Sequence, residues 1–145
     1  MSSEIPFARL DIDCKSVLEA MGYPACHLPS SPVMKRLEEL VKQSTKHCNP
    51  TYSYTLFNGT TDDSCLYIEP FRFRTGKRIA RALHHCEQFA LFVATAGEAY
   101  QEWAKEYQSD IIAQFITDSI GSVIVEAAAD YMEEEIAINV INYTS

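Results

Sequence analysis

The chain has 145 residues, 47% of them hydrophobic and 22% charged, and a formal net charge of −8. That length suits one domain with a real core, and that balance suits a soluble globular protein. The acidic excess argues against nucleic acid as a partner, because phosphate binding needs a basic face.

The charge is uneven. Residues 1–86 carry 11 basic and 9 acidic side chains, whereas residues 87–145 carry one basic residue, Lys105, and 11 acidic ones. The C-terminal half therefore projects a negative field, which would steer a cationic ligand or a basic partner or simply keep a solvated helix face soluble. The five cysteines, Cys14, Cys26, Cys48, Cys65 and Cys86, are widely spaced and form no Cys-x-x-Cys pair. They read as free thiols of a reducing cytosol, with a cytoplasmic location. The opening stretch MSSEIPFARLDID has no basic segment followed by an apolar core, so no secretory leader is expected. Charges interrupt the long apolar segments, so no membrane span is expected either.

The first expected element is a helix. Asp13 caps it, Val17, Leu18 and Met21 follow at helical spacing, and Gly22 stops it. Pro24 and Pro29 mark a loop over 23–30. Ser31 then serves as the cap of a second helix with Pro32 at its first position. Val33, Leu37, Leu40, Val41 and Ser44 form one face of that helix, which ends near His47.

Thr51 to Phe57 alternates as a strand does, with Tyr52, Tyr54 and Leu56 on one side. A turn region runs from Asn58-Gly59 through Asp62-Asp63. Leu66 to Phe73 reads as a second strand broken at Pro70, and the two strands are expected to pair as a long-looped hairpin. Thr75 caps a helix with Ile79, Ala80, Leu83 and Cys86 on one face. Phe89 to Ala94 is nearly continuous apolar sequence and is expected to be a buried strand.

Ala99 to Gln108 forms a short helix, and Ser109-Asp110 caps the next. From Ile111 onward apolar residues recur at helical spacing through Ile136, predicting one long amphipathic helix that reaches Ile141. Gly121 inside it costs about 1 kcal/mol against alanine, which implies close packing of another element or a bend. No repeat, low-complexity tract or linker is visible, so residues 1–145 read as a single domain. The predicted class is α+β: a small, mostly antiparallel sheet packed by helices, with one long C-terminal amphipathic helix.

Motifs that carry chemistry are few. Thr75 to Arg78 reads TGKR, but a phosphate-binding loop needs a glycine five residues before its Gly-Lys pair, where this chain has Phe71. Arg72, Arg74, Lys77, Arg78 and Arg81 still cluster at a helix N-terminus. Lys77, Arg78 and Arg81 are candidate anion ligands, or else part of a surface patch paired with the protein's own carboxylates.

Three cysteines have a histidine neighbour (Cys26-His27, His47-Cys48 and His85-Cys86), yet no second spaced pair completes a zinc set, so no metal is expected. His84 lacks the Ser and Asp partners of a triad. On the long helix Asp118 precedes Glu126 and Asp130, which are one turn apart. Those two either hold an amino group or cation together, or form an exposed face.

The string DSIGSVIVEAAADYMEEEI, Asp118 to Ile136, resembles the reactivation domain of vitamin B12-dependent methionine synthase and small stand-alone proteins like it. Val125 to Ile136 is similar to that domain's core helix. The likeness extends over the last half of the chain and more loosely over the first, where the Asp13-to-Gly22 helix followed by Tyr23 also looks like the opening of the stand-alone relatives. In the family the domain binds S-adenosylmethionine and supports reductive methylation of oxidised cobalamin. An acidic residue on this helix lies near the ligand, and the resemblance assigns that role to Glu126 and, second, to Asp130.

The family's arginine, short spacer and Gly-Tyr pair should follow the helix, but no arginine lies beyond Arg81 and no Gly-Tyr after Gly22-Tyr23. The resemblance thus implies a single domain without the family's C-terminal ligand-binding part. That would be a fragment, one part of a split system, or a relative that kept the scaffold and lost the ligand. It implies no tightly bound cofactor, with S-adenosylmethionine or cobalamin reached only through a partner. The expected role is an accessory module beside a cobalamin-binding methyltransferase module. The alternative is a non-catalytic interaction or oligomerisation module, and a homo-oligomer is a candidate state. No complete catalytic set argues for an independent enzyme.

Overall fold

A computed structural model of the chain describes residues 2–5, 10 and 12–143. Part of the opening stretch, expected to carry no leader, and the final Thr144 and Ser145 of the tail compared with the Gly-Tyr motif lie outside the described residues. The architecture is α+β, with five helices among the described residues, short antiparallel strands and one long C-terminal helix. The elements are β1 (Ser2–Glu4), α1 (Cys14–Ala20), α2 (Ser31–Ser44), β2 (Thr51–Asn58), β3 (Thr60–Thr61), β4 (Cys65–Ile68), β5 (Phe71–Arg74), α3 (Lys77–Leu83), β6 (Gln88–Thr95), α4 (Glu98–Lys105) and α5 (Ile111–Tyr143). One sheet has the strand order β1-β2-β6 and the other β3-β4-β5. The chain forms two compact units: Ser53–Val93, and Ser2–Tyr52 with Ala94–Ser145.

The helical unit is built on α5, against which α1, α2 and α4 pack. Asp13 caps α1 as its position predicts, its Oδ1 accepting the Ser16 N–H at 2.7 Å. Gly22 ends that helix at φ 86°, a left-handed conformation that glycine adopts without steric cost. The cap of α2 is Ser30 rather than Ser31, and its side chain makes no capping hydrogen bond. Leu37, Leu40, Val41 and Ser44 are buried as their spacing requires.

At the start of α5, Asp110 has two roles. Its Oδ1 accepts the Ala113 N–H at 3.1 Å, and its Oδ2 pairs with Arg36 of α2 at 2.7 Å. Val17, Leu37, Ala113, Ile116, Ile120 and Ile124 are fully enclosed and form the centre of the core. Trp103 of α4 stacks on His47, with ring centroids 5.3 Å apart.

Interrupting charges do not disqualify α5 as a membrane span. By length and composition Ile111–Val140 meets the requirement for crossing a bilayer. Its apolarity is used instead along one face, where Ala113, Ile116, Ile120, Val123, Ile124, Ala128 and Met132 are buried.

The smaller unit departs further from the sequence expectation. Asp62 and its neighbours do form a turn, but β3 precedes it and pairs with β4. The second strand is two, β4 and β5, antiparallel with Leu66 opposite Phe73 and Ile68 opposite Phe71. The expected hairpin between 51–57 and 66–73 does not form, since β2 belongs to the other sheet. The tight turn at Glu69-Pro70 lets β4 pair locally with β5, which closes a far shorter loop.

Helix α3 is capped by Gly76, not Thr75, and only Ala80 on it is buried. Thr75 instead directs its hydroxyl to the Ser64 carbonyl at 3.2 Å. Leu66, Ile68 and Phe89 form a small core with Leu83 against it. Strand β6 is not the buried strand its apolar run suggests. Phe89 is buried, but Leu91, Phe92 and Val93 are exposed. It is an end strand of its sheet, and burial on both faces requires covering layers that an apolar sequence cannot itself supply.

Candidate functional site

Helix α4 begins after Gly97 with Glu98 in its first turn and Lys105 in its last, charges that suit the helix dipole at each end. Tyr100 and Trp103 turn inward. The Tyr100 hydroxyl donates to the Thr117 carbonyl on α5 at 2.6 Å. Burial pushes its pKa well above the usual tyrosine value, and the Asp118 charge adds to the effect. Tyr100 thus stays neutral and acts as a fixed strut. A Cβ on Gly121 would lie 3.1 Å from the Tyr100 ring, so glycine is what allows the ring to rest on α5.

Beside this contact a cleft of about 640 Å³ opens, lined by α4, α5 and the end of β6. The α5 wall is a column at four-residue spacing, Gln114, Asp118, Ser122 and Glu126, which brings these side chains onto one helix face. Opposite stand Gln101, Lys105 and Gln108, with Ala104 and Val125 adding apolar surface. Lys105 pairs with Glu102 at 2.5 Å, and the Ser122 hydroxyl donates to the Asp118 carbonyl at 3.1 Å. The cleft therefore presents two carboxylates and several amides, with its basic group already engaged. Its chemistry is that of recognising a cationic or hydrogen-bonding ligand. Neither Ser122 nor Tyr100 is placed as an activated nucleophile.

Glu126 also lines a second groove of about 450 Å³ between α1 and α5, and there Asp130 joins it. The spacing argument thus brings the two together correctly. What it misses is Glu19 of α1 on the opposite side, which makes the groove triply acidic. Both Glu126 and Asp130 are exposed. Among the described residues no three His, Cys, Asp or Glu side chains are arranged to hold a metal ion. Of the cysteines, Cys65 is buried, Cys14 and Cys48 half-buried, and Cys26 and Cys86 exposed.

The basic candidates lie in the smaller unit. Lys77 and Arg81 face a hollow of about 400 Å³ together with Asp62, Asp63 and His84, and Arg78 is not part of it. An anion there would meet two carboxylates. Hydrogen bonds from the Tyr67 hydroxyl and the Ser64 N–H hold the Asp62 carboxyl below the usual range. Helix α3 has only seven residues, which limits its dipole. Among the described residues the ion pairs within 4 Å are Arg36–Asp110 and Lys105–Glu102, and neither includes one of the five clustered cations, although Arg72 lies over the Tyr67 ring and interacts with the Asp62 charge.

No family model and no curated protein matches the chain. Among solved structures it is similar to a crystal structure of the MetH reactivation domain bound to AdoHcy, with a TM-score of 0.58 and 12% sequence identity. The match covers 92% of this chain and 54% of that chain, so the protein spans about half the length of the solved chain it matches. At this identity the likeness is one of fold. The class is therefore an α+β protein with a fold related to the MetH reactivation domain.

Proposed function

We propose that this protein is an accessory module of a cobalamin-dependent methionine synthase or a related corrinoid methyltransferase, supporting reductive reactivation of cobalamin. The observation that carries this reading is the fold likeness to the MetH reactivation domain over 92% of the chain. In that role it works in the cytosol and acts by docking rather than as an independent enzyme. The cleft suits only part of S-adenosylmethionine. Asp118 and Glu126 suit its amino group and sulfonium, but Lys105, the only basic residue lining the cleft among the described residues, is held by Glu102, which leaves none of them free for the ligand's carboxylate. The isolated chain should therefore bind S-adenosylmethionine weakly or not at all, and meet it or cobalamin through a partner.

Two measurements test this. Calorimetry with S-adenosylmethionine should show no micromolar binding, and binding abolished by Glu126→Ala would mean the chain alone completes the site. Surface-immobilised chain should retain a cobalamin-binding methyltransferase module, and failure with several such modules would end the accessory reading. The second reading is a non-catalytic interaction module that shares the fold. It is favoured by the apolar and basic side chains exposed on the smaller unit.

A further inference from the structure

The two units differ in charge as well as in construction. Residues 53–93 carry five basic and four acidic side chains, while the rest of the chain carries seven basic and sixteen acidic. All five cations of the smaller unit fall on β5 and α3, and Arg72, Arg74, Lys77, Arg78 and Arg81 are all exposed. They are interleaved with exposed apolar side chains: Phe71 is 62% accessible, Ile79 53% and Phe73 37%. β5 is also an end strand of its sheet, so one edge of its backbone is unpaired within that sheet. Basic, aromatic and edge-strand features together describe a docking face.

The complementary surface is on the chain itself. Near the end of α5, the Tyr52 hydroxyl donates to Glu135 and the Tyr52 ring packs on Tyr131, with centroids 6.1 Å apart. Glu133 and Glu134 are exposed, with Ile138, 61% accessible, one turn beyond Glu134, and Val140, 43% accessible, two turns beyond Glu133. Glu134 with Ile138 and Glu133 with Val140 form two pairs on adjoining sides of this stretch, which together join carboxylates to aliphatic side chains, as the β5–α3 face joins cations to aromatic and aliphatic ones.

We infer that the β5–α3 face of one copy docks on the Glu133–Val140 stripe of α5 in a second copy. This names the partner for the interaction reading and stands without the methyltransferase reading. An anionic membrane or a single-stranded nucleic acid would match the cations and the aromatic side chains of this face, but it would be repelled by the acidic surplus of the helical unit. Both halves of the contact are supplied by a second copy. Two reciprocal contacts close a dimer, and unreciprocated ones extend a chain.

The test is sedimentation velocity on the full chain at low and high salt, using two charge-reversed variants, Arg74→Glu/Arg78→Glu/Arg81→Glu and Glu133→Lys/Glu134→Lys. Wild type should associate, and raising the salt should weaken association. Each variant alone should lose about tenfold or more in affinity, as reversed charge pairs do. Mixing the two variants should restore association, because one contact becomes wild type and the other is complementary with its signs exchanged. Circular dichroism is used to check that each variant is folded. A wild type that stays monomeric, association indifferent to both variants, or no recovery on mixing would each overturn the inference. So would salt-sensitive binding of wild type to phosphatidylserine vesicles or single-stranded RNA that is lost in the arginine variant. The methyltransferase reading is judged separately, by retention of a cobalamin-binding module.

Discussion

The helical unit and the smaller sheet unit use apolar residues in opposite ways. In the helical unit, Leu37, Ile116, Ile120 and Ile124 meet in one enclosed core. In the smaller unit Leu66, Ile68 and Phe89 gather with Leu83, and Cys65 and Ala80 are buried, while Leu56, Phe57, Phe71, Leu91, Phe92 and Val93 remain accessible. Helices wrapped around a central helix can enclose each other's stripes, whereas a small sheet leaves a face and two edges to be covered. Apolar composition is thus similar in kind across the chain, but it yields stability in one unit and surface in the other.

The contrast is broken most directly by truncating a core residue. Ile120→Ala should cost about 2–5 kcal/mol, the usual range for a fully enclosed aliphatic side chain, as read by urea denaturation. A cost below about 1 kcal/mol would place Ile120 outside a well-packed core.

Next comes the α4–α5 contact. Gly121→Leu must move the Tyr100 ring and its hydrogen bond to Thr117, and should destabilise by roughly 1–3 kcal/mol. Gly121→Ala separates packing from helix propensity, because the methyl regains about 1 kcal/mol of propensity while approaching the ring. An unchanged melting curve for the leucine variant would remove the packing role.

Alkaline titration sharpens the helical side of the comparison. Burial, followed by the hydrogen bond with Glu135, pushes the Tyr52 pKa up to about 12 from 10. The folded state therefore keeps this proton more tightly than the unfolded chain. The stabilising contribution is complete below pH 10 and is lost as pH rises towards 12. Tyr52→Phe should lessen the fall in stability across that window by on the order of 1–2 kcal/mol. Parallel curves for variant and parent would show that Tyr52 titrates normally.

The smallest effect is expected on the sheet side. Phe71→Ala, measured at high dilution, should change stability by no more than about 0.5 kcal/mol, as at other exposed positions. A loss of about 2 kcal/mol would mean that the smaller unit folds around Phe71 and that the two units are less different than they look.

Much of the helical unit was legible in residues alone. Asp13 and Asp110 are short acceptors placed before helical runs, Gly22 marks a stop, and the period of α5 marks its buried stripe. These are local rules, set by hydrogen-bonding reach and by 3.6 residues per turn. The four-residue column from Gln114 to Glu126 follows from the same geometry, and so does the meeting of Glu126 with Asp130. Gln101, Lys105, Gln108 and Glu19, which complete the cleft and the groove, could not be found this way. They come from α4, the turn after it and α1, and only packing sets which of their faces meets α5.

The class and the chemistry divide along the same line. Periodicity, caps and composition by themselves determined the α+β class, the long C-terminal helix and the acidic character of its half. Tertiary structure alone decided that β4 pairs with β5 rather than with β2, and that the apolar run of β6 is exposed. It also decided that Lys105 is engaged by Glu102 while, among the described residues, the cations of β5 and α3 form no ion pair within 4 Å. Helices are specified by contacts three and four residues apart, which a sequence displays directly. Strand partners, covering layers and ion pairs depend on residues distant in the chain, and their choice is made only when the whole chain competes for the same surface.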